Sequence, residues 1–316
     1  MKLTPVIPFE PISSSKMPEG ENWITQIKWD GIRMLHYFDG TETRLFNRKM
    51  NERTLQYPEL LDTQKFCRAD SVILDGEIIC LDNNKPSFHE VMRRESLKQR
   101  AKIQLAVNQI PVSYMVFDIL YFNGEWVTDR SLRDRQKLLH NVLVPNDHVQ
   151  IVPNFTDGHA LFEVMKQHQM EGVVYKDLQS TYSLNGKDGR WRKHKIFVDL
   201  YAVVGGVTFR DRVVNSLLLG LYDDEGKELT YIGHAGTGKL TRKDWMDITA
   251  LVNESAVENR PFVNVPLRQK DAVWIRPALT VKVEFLEFTP AKTMRHPSIQ
   301  AIVDVSPQNC TLSQLQ

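Results

Sequence analysis

Residues 26–33 read QIKWDGIR. Ile27 and Trp29 alternate around Lys28 as in a strand, and Asp30-Gly31 is a turn signal that interrupts it. A strand that only needs packing has no use for a lysine two residues before Asp-Gly, with Arg33 just beyond. Lys28 is either the charged end of a strand or a reacting amine. A lysine is a nucleophile only when deprotonated, and its free pKa of ~10.4 must first be lowered by burial or by neighbouring cations. Arg33, Arg48, Lys193 and Lys195 are available if the fold gathers them. The same cations would hold a triphosphate and stabilise charge on a transferring phosphorus.

Working outward, residues 1–20 form an extended proline-bearing lead-in, and strands are expected at 23–28 and 32–38. FDGTETRLF then gives a turn at Asp39-Gly40 and a returning strand, a hairpin signal. SVILDGEIICLD (71–82) is apolar and β-branched, with a turn at DNNK, residues 82–85. VSYMVFDILYF (112–122) is another buried strand, followed by Asn123-Gly124. Residues 87–106 between them have helical periodicity and many charges, and a further helix fits 131–143. Thr156 is placed to cap a helix through 169, EGVVYKD (171–177) returns to strand, and WRKHKIF (191–197) is a basic strand. Beyond it come short strands with tight turns, interrupted by a helix over about 241–255, which suits a small β-barrel of the oligonucleotide-binding type. The expected fold class is α+β, with domains at 1–197 and 198–316.

Bulk properties set limits. A chain of 316 residues favours two domains. A net charge of +1 hides any local basic face rather than excluding one. Cys67, Cys80 and Cys310 form no Cys-x-x-Cys pair, which argues against a zinc knuckle or a disulfide framework. Pro5, Pro8 and Pro11 break the N-terminus, so no signal peptide is read, and no apolar run approaches the ~20 residues of a membrane span. A cytoplasmic location is expected.

Two carboxylates on strand ends, Glu77 in LDGEI and Glu171 in EGVV, could hold a metal ion or a ribose hydroxyl. Phe117 could present a ring face to a base. Singly, each also reads as ordinary strand, turn or core. Their order is more specific: KWDGIR, LFNRKM, LDGEIICLD, YMVFDILYFNG, EGVVYKD and WRKHK. That series resembles the motifs of the covalent nucleotidyltransferases, the superfamily of ATP-dependent DNA ligases, RNA ligases and mRNA capping enzymes. TLQYPEL, the Phe88-to-Arg94 spacing in SFHEVMRR, and VEFLEFTPAKTMRHPSI are similar to bacterial ATP-dependent DNA ligases, including the ligase domain of end-joining ligases.

The resemblance implies an ATP-grasp-like nucleotidyltransferase (adenylation) domain followed by an OB-fold domain. It implies a three-step reaction: Lys28 takes AMP from ATP, AMP passes to a 5′-phosphate at a nick, and the 3′-hydroxyl displaces it. Carried over residue by residue, Lys28, Glu171, Lys193 and Lys195 are catalytic. Gln26 reads the adenine edge, with Ile27 counted beside it in the nucleotide site. Glu77 binds ribose and Phe117 stacks on adenine. Arg33 and Arg48 hold the nick phosphate or ribose, and Lys193 and Lys195 the α-phosphate. Glu77 and Glu171 serve Mg2+ or Mn2+. Arg48, Arg93, Arg94, Lys98, Arg100 and Arg210 are the candidate DNA contacts, with FRDR (209–212) and GTGKLTRK (236–243) as further basic segments.

Two positions depart from the family pattern. Asn47 stands where serine is usual before the motif arginine. Val303 to Ser306, VDVS, stands where the family carries Arg-x-Asp-Lys to orient pyrophosphate. Asp304 remains but both cations are gone, so either Lys292 and Arg295 take over, or self-adenylylation is slow, or the protein relies on being already adenylylated. The expected partner is nicked double-stranded DNA, bound by a monomer whose domains close about 196–200. The rival readings are an RNA ligase, a capping-type nucleotidyltransferase, or a non-catalytic nucleic-acid-binding module.

Overall fold

The computed structural model describes residues 3–82, 85–267 and 269–315. The chain divides into two compact units, one ending at Ile196 and the other beginning at Phe197.

The first unit contains, in order, β1 (Glu10–Ser13), β2 (Trp23–Ile27), β3 (Ile32–Phe38), β4 (Thr43–Asn47), β5 (Val72–Asp82), β6 (Lys85–Pro86), α1 (Phe88–Glu95), α2 (Arg100–Gln109) and β7 (Val112–Phe122). It continues through β8 (Glu125–Trp126), α3 (Leu132–Val142), β9 (Val149–Ile151), α4 (Gly158–Gln167), β10 (Gly172–Asp177) and β11 (Lys187–Lys195). One sheet has the order β1-β11-β10-β2; the other runs β4-β3-β5-β7-β8, with β6 on β5 and β9 on β7.

Period-2 alternation sorts the strand residues into layers. Leu35, Tyr37, Ile73, Leu120 and Trp191 pack with Phe9 in a core contributed by both sheets. On the other face of the second sheet, Leu74, Ile78 and Val116 pack with Val91 of α1 and Leu139 of α3. On the other face of the first sheet, Val173 and Tyr175 meet Leu161 and Met165 of α4. Strands β2 and β3 are consecutive yet lie in different sheets, so the Asp30-Gly31 link crosses between them. Gly31 is required there because a Cβ on it would sit 2.2 Å from the Ile78 carbonyl oxygen.

Local chemistry sets most boundaries. Asn123 and Gly124 both have positive φ, which makes the tight hairpin between β7 and β8. Ser87 and Ser131 cap α1 and α3 by accepting from the amides of Glu90 and Asp134. The expected helix over 87–106 is two helices. Leu97 N donates to Arg94 O and Leu97 O accepts from Gln56 Nε2, so the helical ladder stops at that turn. The cap of α4 is Asp157 rather than Thr156, its carboxylate accepting from Ala160 N at 2.9 Å. Residues 83 and 84 of the expected DNNK turn lie outside the described residues.

The second unit contains β12 (Val198–Arg210), β13 (Val213–Tyr222), β14 (Leu229–Ala235), α5 (Arg242–Ser255), β15 (Val273–Trp274), β16 (Thr280–Phe285) and β17 (Ser298–Val303). The strand order is β14-β13-β12-β16-β17, with β15 on β12. The segment after β14 closes the sheet onto β17: Ile299 N donates to Thr237 O and Lys239 N to Ile299 O. Val204, Leu219, Val283 and Ile299 fill the barrel, and Ile248 and Val252 of α5 pack against that core. A capping box at Thr241 and Asp244 starts α5.

Candidate active site

The register of the first sheet gathers the lysines. Val173 lies opposite Ile27 and Val174 opposite Gln26, while Val174 also lies opposite Lys193 and Gly172 opposite Lys195. Residues in register share a face, so Gln26, Lys193, Lys195 and, by alternation, Lys28 point to one side. Lys28 N donates to Gly172 O at 2.9 Å, which places Gly172 between Lys28 and Lys195. Regular alternation would turn the preceding residue, Glu171, to the opposite face. Gly172 has φ +141, and a Cβ on it would sit 2.1 Å from His194 O. That glycine turns Glu171 back, and its carboxylate bridges both lysines: Oε2 is 2.5 Å from Lys28 Nζ and Oε1 is 2.8 Å from Lys195 Nζ.

Glu171 is 7% exposed, against 20% and 24% for the side chains of Lys28 and Lys195. Burial alone would raise its pKa; the two ammonium groups outweigh that and hold the carboxyl below the usual range. Burial lowers the Lys193 pKa, helped by Lys195 and Lys28, and no described carboxylate is paired with it.

The second sheet supplies the other groups. Arg33 lies opposite Glu77 in register, and Met115 flanks Glu77 on the far side. Burial pushes the Glu77 carboxyl up to about 7, opposed by Lys28 and Arg33. A register shift between Asp75 and Gly76 leaves Phe117 unpaired with β5. Arg33 lies 4.6 Å from the Phe117 ring centroid and Lys176 Nζ 4.1 Å from it.

Several expected roles change. Arg33 is not a free phosphate-facing cation: Nε and Nη2 donate to Asp75 at 2.5 and 2.7 Å, and Nη2 also to Phe9 O. Ile27 alternates with Lys28, so its side chain packs with the α4 cluster on the other face of the sheet. Arg94 is fully buried and donates to Glu59 at 2.7 and 3.0 Å, so it cannot touch DNA. Asn47 Oδ1 is taken by the amides of Lys49 and Asn51. Arg48, Arg93, Lys98, Arg100 and Arg210 are exposed, with Arg48 3.2 Å from Glu10 and Arg93 paired to Glu90. In the second unit, the carbonyls of Val303 and Val305 both accept from Thr280 Oγ1, and Val305 packs on the barrel core. Arg295 is paired to Glu287.

The sequence reading missed Lys176. It is 2% exposed, its Nζ has no hydrogen-bond partner, and it lies 3.9 Å from the Trp191 ring centroid. Burial pushes its pKa down to about 7. The available signal was its spacing of two from Val174, which puts both on the inward face. No group of three or more His, Cys, Asp or Glu side chains arranged for a metal occurs among the described residues.

A two-sheet unit with a lysine–carboxylate–lysine cluster, followed by a closed barrel, is the build of a nucleotidyltransferase joined to an oligonucleotide-binding domain. The sequence profile of the ATP dependent DNA ligase domain matches residues 9–195, and that of the ATP dependent DNA ligase C terminal region matches residues 210–304. The chain belongs to the ATP-dependent DNA ligase family.

It is 29% identical over 290 residues to the multifunctional non-homologous end joining DNA repair protein LigD of Mycobacterium tuberculosis, covering 89% of this chain and 36% of that protein. It is 26% identical over 321 residues to a DNA ligase of Caldivirga maquilingensis, covering 92% and 52%. The chain thus spans between about a third and a half of these relatives. The crystal structure of the ligase domain of M. tuberculosis LigD matches 97% of this chain and 98% of its own at 25% identity, with a TM-score of 0.54. A Lig E DNA ligase shares the fold at a TM-score of 0.62 and 18% identity, covering 93% and 99%.

Proposed function

We propose that this chain is an ATP-dependent DNA ligase sealing 5′-phosphate/3′-hydroxyl nicks, with nucleotide chemistry in domain 1–197 and the OB-fold domain at 198–316. The observation that carries the reading is the carboxylate of Glu171 held between Lys28 and Lys195, with Lys193 on the same sheet face.

Lys28 Nζ attacks the α-phosphorus of ATP. A nitrogen–phosphorus bond forms, the bond to the β-phosphate bridging oxygen breaks, and pyrophosphate leaves. Glu171 is the acceptor within reach of the Nζ proton, and Lys193 and Lys195 offset charge on the phosphoryl oxygens. An oxygen of the nick 5′-phosphate then displaces Lys28, and the 3′-hydroxyl displaces AMP to close the strand. Phe117 offers its ring to adenine, Gln26 its amide to the base edge, and Glu77 its carboxyl to ribose.

Glu77 has no described hydrogen-bond partner and suits Mg2+ or Mn2+, held mainly by nucleotide phosphates; Glu171 joins only by exchanging an ammonium for the ion. Such an ion shields phosphate charge and assists the leaving group. Arg48, Arg93, Lys98, Arg100 and Arg210 are the phosphate-tracking cations of this reading. No described helix is long and apolar enough to cross a membrane. The protein acts as a monomer in the cytoplasm on nicked double-stranded DNA.

The test is incubation with α-labelled ATP and, separately, α-labelled GTP, with either metal, followed on a denaturing gel beside Lys28→Ala and chased with nicked DNA. ATP label that needs Lys28 and is lost as DNA is sealed is the expected result. Label from GTP alone would mark a capping-type enzyme, and sealing confined to RNA-containing nicks an RNA ligase. Neither label nor bound AMP nor sealing would leave a binding module.

A further inference from the structure

We infer that selection of adenine over guanine is set by a relay of side-chain amides, Gln136, Asn154 and Gln26, anchored on the main-chain carbonyl of Phe117. The inference rests on the nucleotide-binding reading above. A main-chain carbonyl can only accept a hydrogen bond, so it orients the first amide. Gln136 Nε2 donates to Phe117 O at 2.7 Å, which turns Gln136 Oε1 toward Asn154. That oxygen accepts from Asn154 Nδ2 at 3.0 Å, which turns Asn154 Oδ1 toward Gln26. Gln26 Nε2 donates to Asn154 Oδ1 at 2.7 Å.

Each amide has one oxygen end and one nitrogen end, so orienting the first orients the last. Gln26 therefore ends the relay with Oε1 facing away from Asn154, and no donor among the described residues reaches it. Gln26 and Gln136 are 2% and 5% exposed, so neither turns over without leaving buried polar atoms unpaired. Gln26 shares its strand face with Lys28. An oxygen presented there accepts from the exocyclic amino group of adenine, whereas guanine offers O6, an acceptor against an acceptor. Asn154 and Gln136 are positioning residues: they act on the base only through Gln26. The anchor adds a coupling, because Phe117 also offers its ring to the base whose edge the relay reads.

The experiment measures single-turnover labelling of Lys28 by α-labelled ATP and GTP in the whole chain, as a ratio of the two efficiencies. Wild type is expected to favour ATP. Gln136→Leu keeps the bulk and cuts the relay at its anchor, and the ATP-to-GTP ratio should fall by about tenfold or more, with GTP labelling rising in absolute terms. Asn154→Leu, at an exposed position that tolerates replacement, should do the same. Adding Gln26→Glu to Gln136→Leu should restore adenine preference, because a carboxylate only accepts and has no wrong orientation. A parallel loss of both nucleotides at unchanged ratio, or no restoration by Gln26→Glu, would overturn the relay. Equal use of ATP and GTP by wild type would overturn it while leaving the covalent chemistry standing. A wild-type protein that takes neither nucleotide removes the underlying reading first.

Discussion

Lys176→Met is expected to stabilise the first unit at neutral pH and to remove most of the pH dependence that this lysine imposes. Lys176 is 2% exposed, its Nζ lacks a hydrogen-bond acceptor, and its pKa falls from 10.5 to about 7 on burial. The unfolded chain keeps the proton up to about pH 10.5, whereas the folded chain releases it near pH 7. Between those values the unfolded state binds more protons, so stability rises with pH at about 1.4 kcal/mol per unit. The destabilisation is complete below pH 7 and vanishes above the unfolded pKa. From pH 7 to 9.5 wild type should therefore gain about 3 kcal/mol that Lys176→Met does not. Methionine fills a similar volume without a charge to desolvate. The assay is urea-dependent pulse labelling of Cys67 and Cys80, both buried in the same unit, with Cys310 reporting the other. Titration of groups common to both proteins cancels in the difference. The cation–π contacts to Phe117 and Trp191 oppose release of the proton, and such contacts reach about 2 kcal/mol when desolvated. If wild type and Lys176→Met run parallel from pH 7 to 9.5, the lysine keeps its proton on the rings and the reasoning fails.

Metal dependence should titrate with Glu77, whose carboxyl sits at about 7. Only the ionised form binds a cation, so the Mg2+ concentration needed for half-maximal labelling should rise by up to about tenfold per unit below pH 7, and Glu77→Gln should flatten that dependence. Arg94→Met should cost about 3–5 kcal/mol in denaturant unfolding, because it strands Glu59. Arg93→Ala should change stability by no more than about 0.5 kcal/mol while weakening nicked-DNA binding at low salt; equal stability of the two variants would refute the buried pair. Gly31→Ala should cost roughly 1–3 kcal/mol and slow Lys28 labelling, since its methyl meets the Ile78 carbonyl. Gly189→Ala, whose methyl meets nothing nearer than 3.8 Å, is the comparison that should melt closer to wild type.

The strands were legible because alternation and turn residues are local. Asp39-Gly40, Asn123-Gly124 and the apolar runs at 71–82 and 112–122 each announce themselves within a few residues. The errors came where tertiary partners override local pattern. Residues 87–106 keep one helical period, but Gln56 from another segment takes the Leu97 carbonyl and splits them. Arg94 looks like its neighbours Arg93 and Lys98 in composition. It is three residues after Val91 and so shares the inward face, a signal that the run of charges masked. The side chain of Ile27 follows a rule in plain view: a residue adjacent to Lys28 in a strand points away from it, which leaves only its main chain on the Lys28 side. The relay through Gln136 and Asn154 had no sequence mark: three amides separated by 128 and 18 residues become neighbours only through packing.

The dispersal of the motifs over some 170 positions follows from the sheet itself. A strand contributes to one face only at every second residue, so each visit to the site supplies one or two side chains, and the motif it leaves is short. Lys193 and Lys195 share the face of Gln26 while His194 between them stacks on Phe162 at 4.2 Å on the other face. Lys-x-Lys is thus a strand written with its alternate letters. The Glu171-Gly172 pair is the exception to that alternation. Its acid joins a face that alternation denies it, and only a residue without Cβ can make that turn against His194 O. Lys28, Glu171 and Lys195 arise at the ends of three adjacent strands. A one-residue slip of β2 or β11 against β10 would send its lysine to the α4 side, so the ladder hydrogen bonds hold Lys28, Lys193 and Lys195 on one face as firmly as any contact within the cluster.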